Sequence, residues 1–285
     1  MYFFDQLFQG ISLGALYALI AIGFSMVYGV LRLLNFAHSE LITSGAYASY
    51  LLSCYLFEGK NLLLTDVLIL LVFSAFISGL LAILFFYVGY KSIYRKSRIA
   101  VLISAIGISV FIQSVIIFCF GGKSYATLHS NVDYSVFSII VIVVIAIFLF
   151  WFLKNTQLGI WMRAVSDDYD TAKLMGIKPN KIIVLVFFIG GALAGVAGTI
   201  ISLQDGSLNP SMGYLYGLKA FAISVVGGIG NIGGAIFIGV LLGISEVLFQ
   251  AFLPEGINHF TNALIFVLLL AVLLYKPNGL FTKYL

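Results

Sequence analysis

Long apolar stretches separated by short polar segments dominate the chain. They fall at about 7–30, 37–57, 62–90, 99–120, 135–153, 182–203, 218–252 and 260–275. A transmembrane α-helix needs roughly 20 consecutive apolar residues, and most of these stretches reach that length. The alternating ten-residue segments that are typical of outer-membrane barrels are absent. The pattern predicts an all-α fold, a polytopic membrane bundle of about eight spans.

One apolar stretch is too long for a single span. Segment 218–252 contains a cluster of glycines between Gly227 and Gly234. We expect a short helix to enter the membrane, to turn at these glycines, and a longer helix to return. Irregular backbone at membrane depth is tolerated only where protein or a wet cavity surrounds it, so this glycine-broken hairpin should lie inside the bundle.

Small residues recur on one face of two predicted helices. The first stripe begins at Gly10 and Gly14, and the second contains Gly191, Gly195 and Gly198. Small side chains let helix backbones approach closely, which is how helices associate inside a membrane. We therefore expect these glycines to be helix-packing positions in a many-helix core.

The composition agrees with a membrane location. The chain is 62% hydrophobic and only 9% charged, whereas charged residues make up about a quarter of an ordinary soluble domain. The first ten residues, MYFFDQLFQG, lack a basic segment and a small-residue cleavage site. We therefore expect them to lead into a retained helix rather than to form a signal peptide. We predict a single transmembrane domain over residues 1–285.

The basic residues predict the orientation of the chain. If the N-terminus lies outside and the spans alternate, Lys60, Lys123 and Lys219 fall outside. The other twelve basic residues then share the opposite side: Arg32, Lys91, Arg95, Lys96, Arg98, Lys154, Arg163, Lys173, Lys178, Lys181, Lys276 and Lys283. Because Lys and Arg are enriched in cytoplasmic loops, that side and the C-terminus should be cytoplasmic.

A polar segment with the sequence RAVSDDYDTAKLMGIKPNK, residues 163–181, interrupts the apolar pattern within the loop 155–181. It holds seven of the 26 charged residues of the chain: Arg163, Asp167, Asp168, Asp170, Lys173, Lys178 and Lys181. Acids near the start of a helix and bases near its end complement the helix macrodipole. This order of charges predicts a short surface helix over about residues 167–175.

Both ends of this helix carry capping residues. Ser166 or Asp167 can accept backbone hydrogen bonds as the N-cap. Gly176 suits a left-handed C-cap, and Pro179 prevents the helix from continuing. A helix this short is only marginally stable alone in water, so we expect it to dock on another surface.

The centre of this helix resembles a known motif. ABC importer permeases carry Glu-Ala-Ala, three residues and Gly in the cytoplasmic coupling helix, which sits in a groove of the ATPase subunit. Asp170, Thr171, Ala172 and Gly176 match that motif position by position, with Asp for Glu and Thr for Ala. The resemblance implies that these residues, with Arg163 and Asp167, couple the chain to an ATPase. The alternative is a solvated cytoplasmic loop.

The stretch Gln9–Tyr47 resembles the N-terminal signature of the branched-chain amino-acid ABC permease family, the Liv type, and the resemblance as a whole covers nearly the whole chain. The resemblance rests on a glycine-rich first helix followed by Asn35, Phe36, Ala37, His38, Ser39, Glu40, Gly45, Ala46 and Tyr47. Members of that family usually have Gly at the position of Ser39. The stretches FFIGGALAGVAGTI and AFAISVVGGIGNIGGAIFIGVLLG resemble later blocks of the same family, in the same order.

This resemblance implies a permease subunit of a binding-protein-dependent ABC importer in a prokaryotic inner membrane. Its cargo would be branched-chain or other amino acids, or a small amide such as urea. Its partners would be a second permease subunit, more often a paralogue than a copy, two ATPase subunits and an external binding protein. ATP and magnesium would bind to the ATPase subunits, and no cofactor to this chain.

Four polar residues are candidates for the substrate pathway: Asn35, His38, Glu40 and Asn231. An ionisable group in hydrocarbon costs on the order of 2.5–3.5 kcal/mol on insertion scales, so such a group is retained for a reason. The alternative for Glu40 is a pair with Arg32, or contact with headgroup water. The alternative for Asn231 is a hydrogen bond between helices.

Other motifs carry little weight. Gly228, Gly230 and Gly233, with Glu255 downstream, imitate a dinucleotide fingerprint, which needs a soluble βαβ unit. The sequence FGGKS at 120–124 lacks the first glycine of a P-loop. His38, His129 and His259 are too scattered for a metal site. We therefore expect no enzyme activity in this chain. The competing function is an ion-coupled secondary transporter with Glu40 or Glu246 as its ion site.

Overall fold

The computed structural model describes residues 2–33, 35–57, 62–94, 97–127, 133–228, 230–252, 260–276 and 279–281. Several residues considered above lie outside these ranges: Lys60, Arg95, Lys96, His129, Glu255, His259 and Lys283.

Helices form almost all of the described structure. They are α1 (Tyr2–Leu31), α2 (His38–Leu56), α3 (Leu64–Phe85), α4 (Arg98–Phe120), α5 (Tyr134–Asn155), α6 (Gln157–Asp167), α7 (Tyr169–Leu174), α8 (Pro179–Asp205), α9 (Met212–Gly227), α10 (Ile232–Phe252) and α11 (Thr261–Tyr275). One π-helical turn, Phe86–Tyr90, continues α3. Two short strands, β1 (Tyr125–Ala126) and β2 (Ser207–Leu208), pair antiparallel.

The fold is a helical membrane bundle. Within the described ranges, six helices are long and apolar enough to cross a membrane: α1, α3 with its π-helical turn, α4, α5, α8 and α10. Helix α2 is long enough but carries many hydroxyl groups, and α9 and α11 have only 16 and 15 residues. Length and composition alone therefore identify six candidate spans among the described residues, fewer than the eight that the apolar pattern predicts, and do not assign α2, α9 and α11.

Helix α1 lies at the centre of the bundle and α4 at its edge. In the most apolar window of each helix, 89% of α1 is buried but only 17% of α4. Helix α1 packs against α8, α9, α10 and α5. A helix that is apolar on all sides is normally a buried one, so the uniform apolar composition of α1 suits this position.

The glycine stripes lie where helices touch. A Cβ atom added to Gly14 would lie 2.6 Å from the Cα atom of Val240 on α10. One added to Gly195 would lie 2.5 Å from the carbonyl oxygen of Ser74 on α3, and Gly198 lies against the Ile42 carbonyl of α2. Gly10 and Gly191 make equally close contacts with α10 and α3. Larger side chains at these positions would force the helices apart.

Helices α9 and α10 form the hairpin that the sequence predicts, with the break after Gly227. Gly228 and Gly230 have φ values of 96° and 85°, a backbone region that glycine enters without strain. The 16 residues of α9 rise only about 24 Å at 1.5 Å per residue, which is less than the roughly 30 Å of a bilayer core.

The C-terminal residues 279–281 cover the break in this hairpin. The amide of Leu280 donates a hydrogen bond to the Val226 carbonyl at 2.8 Å. The ring of Phe281 lies 5.6 Å from that of Phe237, centre to centre. The break therefore lies close to the end of the chain that follows α11.

Candidate functional site

A cavity of about 320 Å³ lies between α1, α2, α4 and α9. Three of the four predicted pathway residues, Asn35, His38 and Glu40, line it. Its apolar wall contains Phe24, Phe36, Ile106, Val110 and Leu218. The cavity is therefore mostly apolar, with a few polar side chains.

Asn231 is not among the described residues that line this cavity. It precedes α10, and its Oδ1 atom accepts a hydrogen bond from the Gly234 amide at 3.0 Å. This is N-cap geometry, in which a side-chain oxygen satisfies a free amide of the first helical turn. The side chain thus stabilises the start of α10 at the hairpin break.

Glu40 is 2% exposed and has only one of its two carboxylate oxygens hydrogen-bonded. Its Oε1 atom accepts from Ser109 Oγ at 2.9 Å and from Ser39 Oγ at 3.4 Å. Its Oε2 atom is buried and has no hydrogen-bond partner among the described residues. Most buried polar atoms have a partner, so this oxygen calls for an explanation.

The alternative pair between Arg32 and Glu40 is not formed. Arg32 follows the last residue of α1 with a left-handed φ of 53°. Its guanidinium donates to the Ser166 carbonyl at 3.3 Å, and the Glu40 side chain is buried inside the bundle.

Asn35 and His38 are buried beside Glu40. The Oδ1 atom of Asn35 accepts from the Tyr90 hydroxyl at 2.6 Å, and its Nδ2 atom has no partner among the described residues. The imidazole of His38 packs edge-on against Phe24, with ring centres 5.8 Å apart. Neither of its nitrogens makes a hydrogen bond of normal geometry, although the Ile20 backbone lies nearby.

The structure adds Ser109 and Gln113 of α4 to this cavity. Both lie in an apolar helix and are four residues apart, which places them on the same helix face. That spacing is a signal of a shared polar surface, which the sequence analysis did not use. A mostly apolar cavity with a few fixed polar groups is suited to binding a small molecule.

A second buried cluster joins α1, α9 and α10. Lys219 Nζ lies 2.6 Å from Glu246 Oε1 and 2.9 Å from the Tyr17 hydroxyl. The Tyr17 hydroxyl donates to Glu246 Oε2 at 2.7 Å. Lys219, which the orientation analysis counts among the outer residues, belongs to α9, and its side chain is buried against this carboxylate. Both oxygens of Glu246 are therefore hydrogen-bonded.

Helix α7 corresponds to the short surface helix predicted from the charges. Its N-cap is Asp168, which replaces the predicted Ser166 or Asp167. Asp168 accepts from the Thr171 amide at 3.1 Å, the Thr171 hydroxyl at 2.8 Å and the Asp170 amide at 2.8 Å. These hydrogen bonds hold the pKa of the exposed Asp168 carboxyl below its usual value.

Ser166 and Asp167 are unsuited to cap α7 because both belong to the preceding helix, α6. The Ser166 hydroxyl donates to the Gly29 carbonyl at 2.6 Å, which attaches α6 to the end of α1. Arg163, also on α6, donates to the Leu153 carbonyl at the end of α5. Of the predicted coupling residues, Arg163 and Asp167 thus lie on α6, whereas the others lie on α7 or its C-cap.

The C-terminal end of α7 forms a Schellman motif. Gly176 has a φ of 84°, its amide donates to the Lys173 carbonyl at 3.1 Å, and the Ile177 amide donates to the Ala172 carbonyl at 3.2 Å. This pair of bonds satisfies the last carbonyls of a helix and favours glycine at the left-handed position. The prediction for Gly176 is confirmed.

The outer surface of α7 is apolar at its tip. Leu174 is 88% exposed and Met175 is 79% exposed, whereas Ala172 is buried against the bundle. The hydroxyls of Tyr94 and Tyr169 both donate to Asn180 Oδ1, at 3.0 and 3.3 Å. Helix α7 is therefore fixed to the bundle on one side and presents two large apolar side chains on the other.

A family profile described as the permease component of the branched-chain amino acid transport system matches residues 6–273. The chain belongs to this permease family. It is 35% identical to the high-affinity branched-chain amino acid transport system permease protein LivH of Salmonella typhimurium and of Escherichia coli K12, over 98% of this chain and 96% of each relative. It is 34% identical to the corresponding protein BraD of Pseudomonas aeruginosa, over 98% of this chain and 95% of the relative.

A solved structure supports the fold of this permease. A chain of the complex "PsaBC from Streptococcus pneumoniae in complex with Fab" matches with a TM-score of 0.54 over 98% of this chain and 93% of that chain. At 16% identity the match shows a shared helical fold. The permease is thus a multi-pass membrane protein of a transport system.

Proposed function

We propose that this permease is one of two transmembrane subunits of an ATP-driven, binding-protein-dependent importer of branched-chain amino acids. LivH and BraD are named for high-affinity transport of these amino acids, and their similarity extends over nearly the whole chain. The basic residues Lys154, Lys173, Lys178 and Lys181 support a cytoplasmic position for the α6–α7 region. The N-terminus would then lie outside and the C-terminus in the cytoplasm of a prokaryotic inner membrane.

The single observation that carries this proposal is the exposed apolar tip of α7 between two capped ends. A six-residue helix does not persist alone in water, but its caps and the buried Ala172 fix it here. Exposed Leu174 and Met175 would enter a groove of an ATPase subunit, with Asp170 and Thr171 beside them. ATP and magnesium would bind to the ATPase subunits, and this chain would supply the surface that they move.

In the assembly we propose, substrate crosses between this permease and a second permease subunit. The second subunit would be a paralogue of this chain. Asn35, His38 and Glu40 would lie along the pathway. Since an external binding protein can select the cargo, the pathway needs only weak affinity, in agreement with the mostly apolar wall of the cavity.

The hydrogen bonds of Glu246 count against an ion-coupled transporter that uses this residue. Both of its oxygens are already bonded to Lys219 and Tyr17, so the carboxylate offers no free ligand to a passing ion. Uptake should accordingly persist when the proton gradient is collapsed and ATP is retained. Loss of uptake under that condition would favour the ion-coupled alternative.

The coupling proposal is tested with Leu174→Asp in the complete complex, reconstituted in liposomes with ATP inside. An aspartate at this position would be buried without a partner in the ATPase groove, so ATP-driven uptake of leucine should fall at least about tenfold. The matched control is Lys181→Ala, an exposed change on α8, which should retain uptake. Normal uptake by Leu174→Asp in a fully assembled complex would contradict the proposal.

A further inference from the structure

The cavity beside Glu40 carries an unbalanced set of polar groups. Within the described ranges, neither lysine nor arginine lines it, although it contains a buried carboxylate. Lys219 follows Leu218, which lines the cavity, but the Lys219 ammonium is engaged by Glu246 and Tyr17. The charge of Glu40 therefore has no cationic side chain beside it. A buried carboxylate without a counter-charge is costly, and a ligand cation or a bound proton relieves that cost.

The hydrogen bonds of Glu40 leave one side of the carboxylate for a ligand. Ser109 donates to Oε1 at 2.9 Å, whereas the Ser39 hydroxyl lies 3.4 Å from Oε1 but closer to the Phe36 carbonyl, at 2.9 Å. Oε2 receives no donor from the described residues. An ammonium group is a compact cation with several hydrogen-bond donors, and charge-assisted bonds to a carboxylate are stronger than neutral ones. A small movement at the cavity wall would bring such a group onto Oε2.

The same cavity offers a donor for a negative group. The amide of Asn35 is oriented by the Tyr90 hydroxyl, which donates to Oδ1 and leaves Nδ2 without a partner. Carboxylates accept hydrogen bonds from amide N–H groups. The acceptor at Glu40 and the donor at Asn35 are complementary in charge and hydrogen-bonding type to the ammonium and carboxylate groups of an amino acid.

The remaining wall and the volume suit a short aliphatic side chain. Ile106, Val110 and Leu218 contribute apolar surface, and about 320 Å³ is at the small end of the range for ligand cavities. A basic side chain would place its charge against this apolar wall, which costs free energy when no partner is present. The wall therefore favours apolar amino acids.

We propose that this cavity is an amino-acid subsite in which Glu40 binds the α-ammonium group, Asn35 binds the carboxylate and α4 contacts the aliphatic side chain. The proposal rests on the importer function above and names the part of the substrate that the permease recognises. We expect the ammonium group to contribute most of the binding free energy, because it pairs with Glu40, the only carboxyl among the described residues that line the cavity.

The test uses the full chain in its purified complex, without nucleotide or binding protein. Three ligands are titrated by calorimetry: L-leucine, 3-methylbutylamine, which lacks the carboxylate, and 4-methylpentanoate, which lacks the ammonium group. Leucine and the amine should bind at least about tenfold more tightly than the acid, since one charge-assisted contact is worth roughly a factor of ten or more.

Glu40→Gln should remove this preference. It keeps an oxygen for Ser109 but loses the charge, so the affinities for leucine and the amine should fall roughly 10- to 100-fold, with the acid little changed. The control Asp5→Asn removes one charge from the exposed start of α1 and should change none of the affinities. Where Glu40→Gln fails to assemble, Glu40→Asp should retain the preference for the amine.

The proposal is overturned if the unaltered complex binds the acid as tightly as the amine. It is also overturned if the Glu40→Gln complex still binds leucine and the amine more tightly than the acid by the same factor. These titrations contain no ATP, so they are independent of the uptake assay with Leu174→Asp. A complex that binds the amine but shows no ATP-driven uptake would contradict the importer proposal and leave the subsite intact.

Discussion

Two buried glutamates in this bundle have opposite surroundings. Glu246 has both oxygens hydrogen-bonded, by Lys219 and Tyr17, at a junction of three helices. Glu40 has one oxygen bonded to Ser109 and one without a partner among the described residues, beside a cavity of about 320 Å³. Acidic residues inside membranes either pair with a basic residue or mark a pathway. Glu246 fits the first case and Glu40 the second.

The contrast shows that a buried carboxylate can either stabilise the packing of helices, as Glu246 does, or remain available to a ligand, as we propose for Glu40. Lys219 and Glu246 belong to the two arms of the hairpin, so their pair fixes the register of α9 against α10. Glu40 belongs to α2, and its serine partners orient it without neutralising it. A satisfied carboxylate stabilises a helix arrangement, whereas a carboxylate with a free oxygen can accept a ligand.

The largest effect should come from breaking the closed cluster. Glu246→Gln leaves the Lys219 ammonium buried without a counter-charge, which typically costs about 3–5 kcal/mol. We expect a large loss of folded protein in membranes and a strongly lowered thermal unfolding temperature in detergent. The double variant Lys219→Met with Glu246→Gln should recover most of this stability, because no buried charge remains. A double variant as unstable as the single one would refute this account of the pair.

A smaller effect should follow from Tyr17→Phe. This change removes the donor to Glu246 Oε2 and the hydroxyl that Lys219 contacts, but it retains the ion pair. Losing hydrogen bonds to charged groups costs about 1–3 kcal/mol. The unfolding temperature should therefore lie between those of the unaltered protein and Glu246→Gln. A temperature equal to that of the unaltered protein would mean that the ion pair needs no help from Tyr17.

The smallest effect on stability should come from Glu40→Gln. The amide oxygen of the glutamine can still accept a hydrogen bond from Ser109. The change also leaves no buried cation without its partner, because no described lysine or arginine lines the cavity. The free energy of unfolding should therefore change by less than about 1 kcal/mol. The same thermal unfolding assay, run beside Glu246→Gln, checks this. A loss as large as that of Glu246→Gln would show that Glu40 is a structural group and would remove the contrast between the two sites.

The sequence predicted the helices and α7 because their signals are local. An apolar run of about 20 residues needs no partner to be recognised, and Gly176 reveals its left-handed conformation through residue type alone. The N-cap of α7 was harder to locate. Asp167 and Asp168 have the same capping chemistry, and only the end of α6 decides between them.

The two glutamate sites depend on contacts between distant residues. Lys219 was counted with the outer residues because it stands at the start of an apolar segment, and its partner Glu246 lies on the far side of the hairpin break. Ser109 reaches Glu40 from another helix, 69 positions along the chain. Pattern and composition contain no information about which helices meet, so these pairings required the fold.

Residues 279–281 have a practical consequence for handling the protein. They cover the glycine turn of the hairpin, so a truncation after Lys276 would uncover the Val226 carbonyl. An affinity tag inserted beside the exposed Phe3 and Phe4 would leave this contact intact.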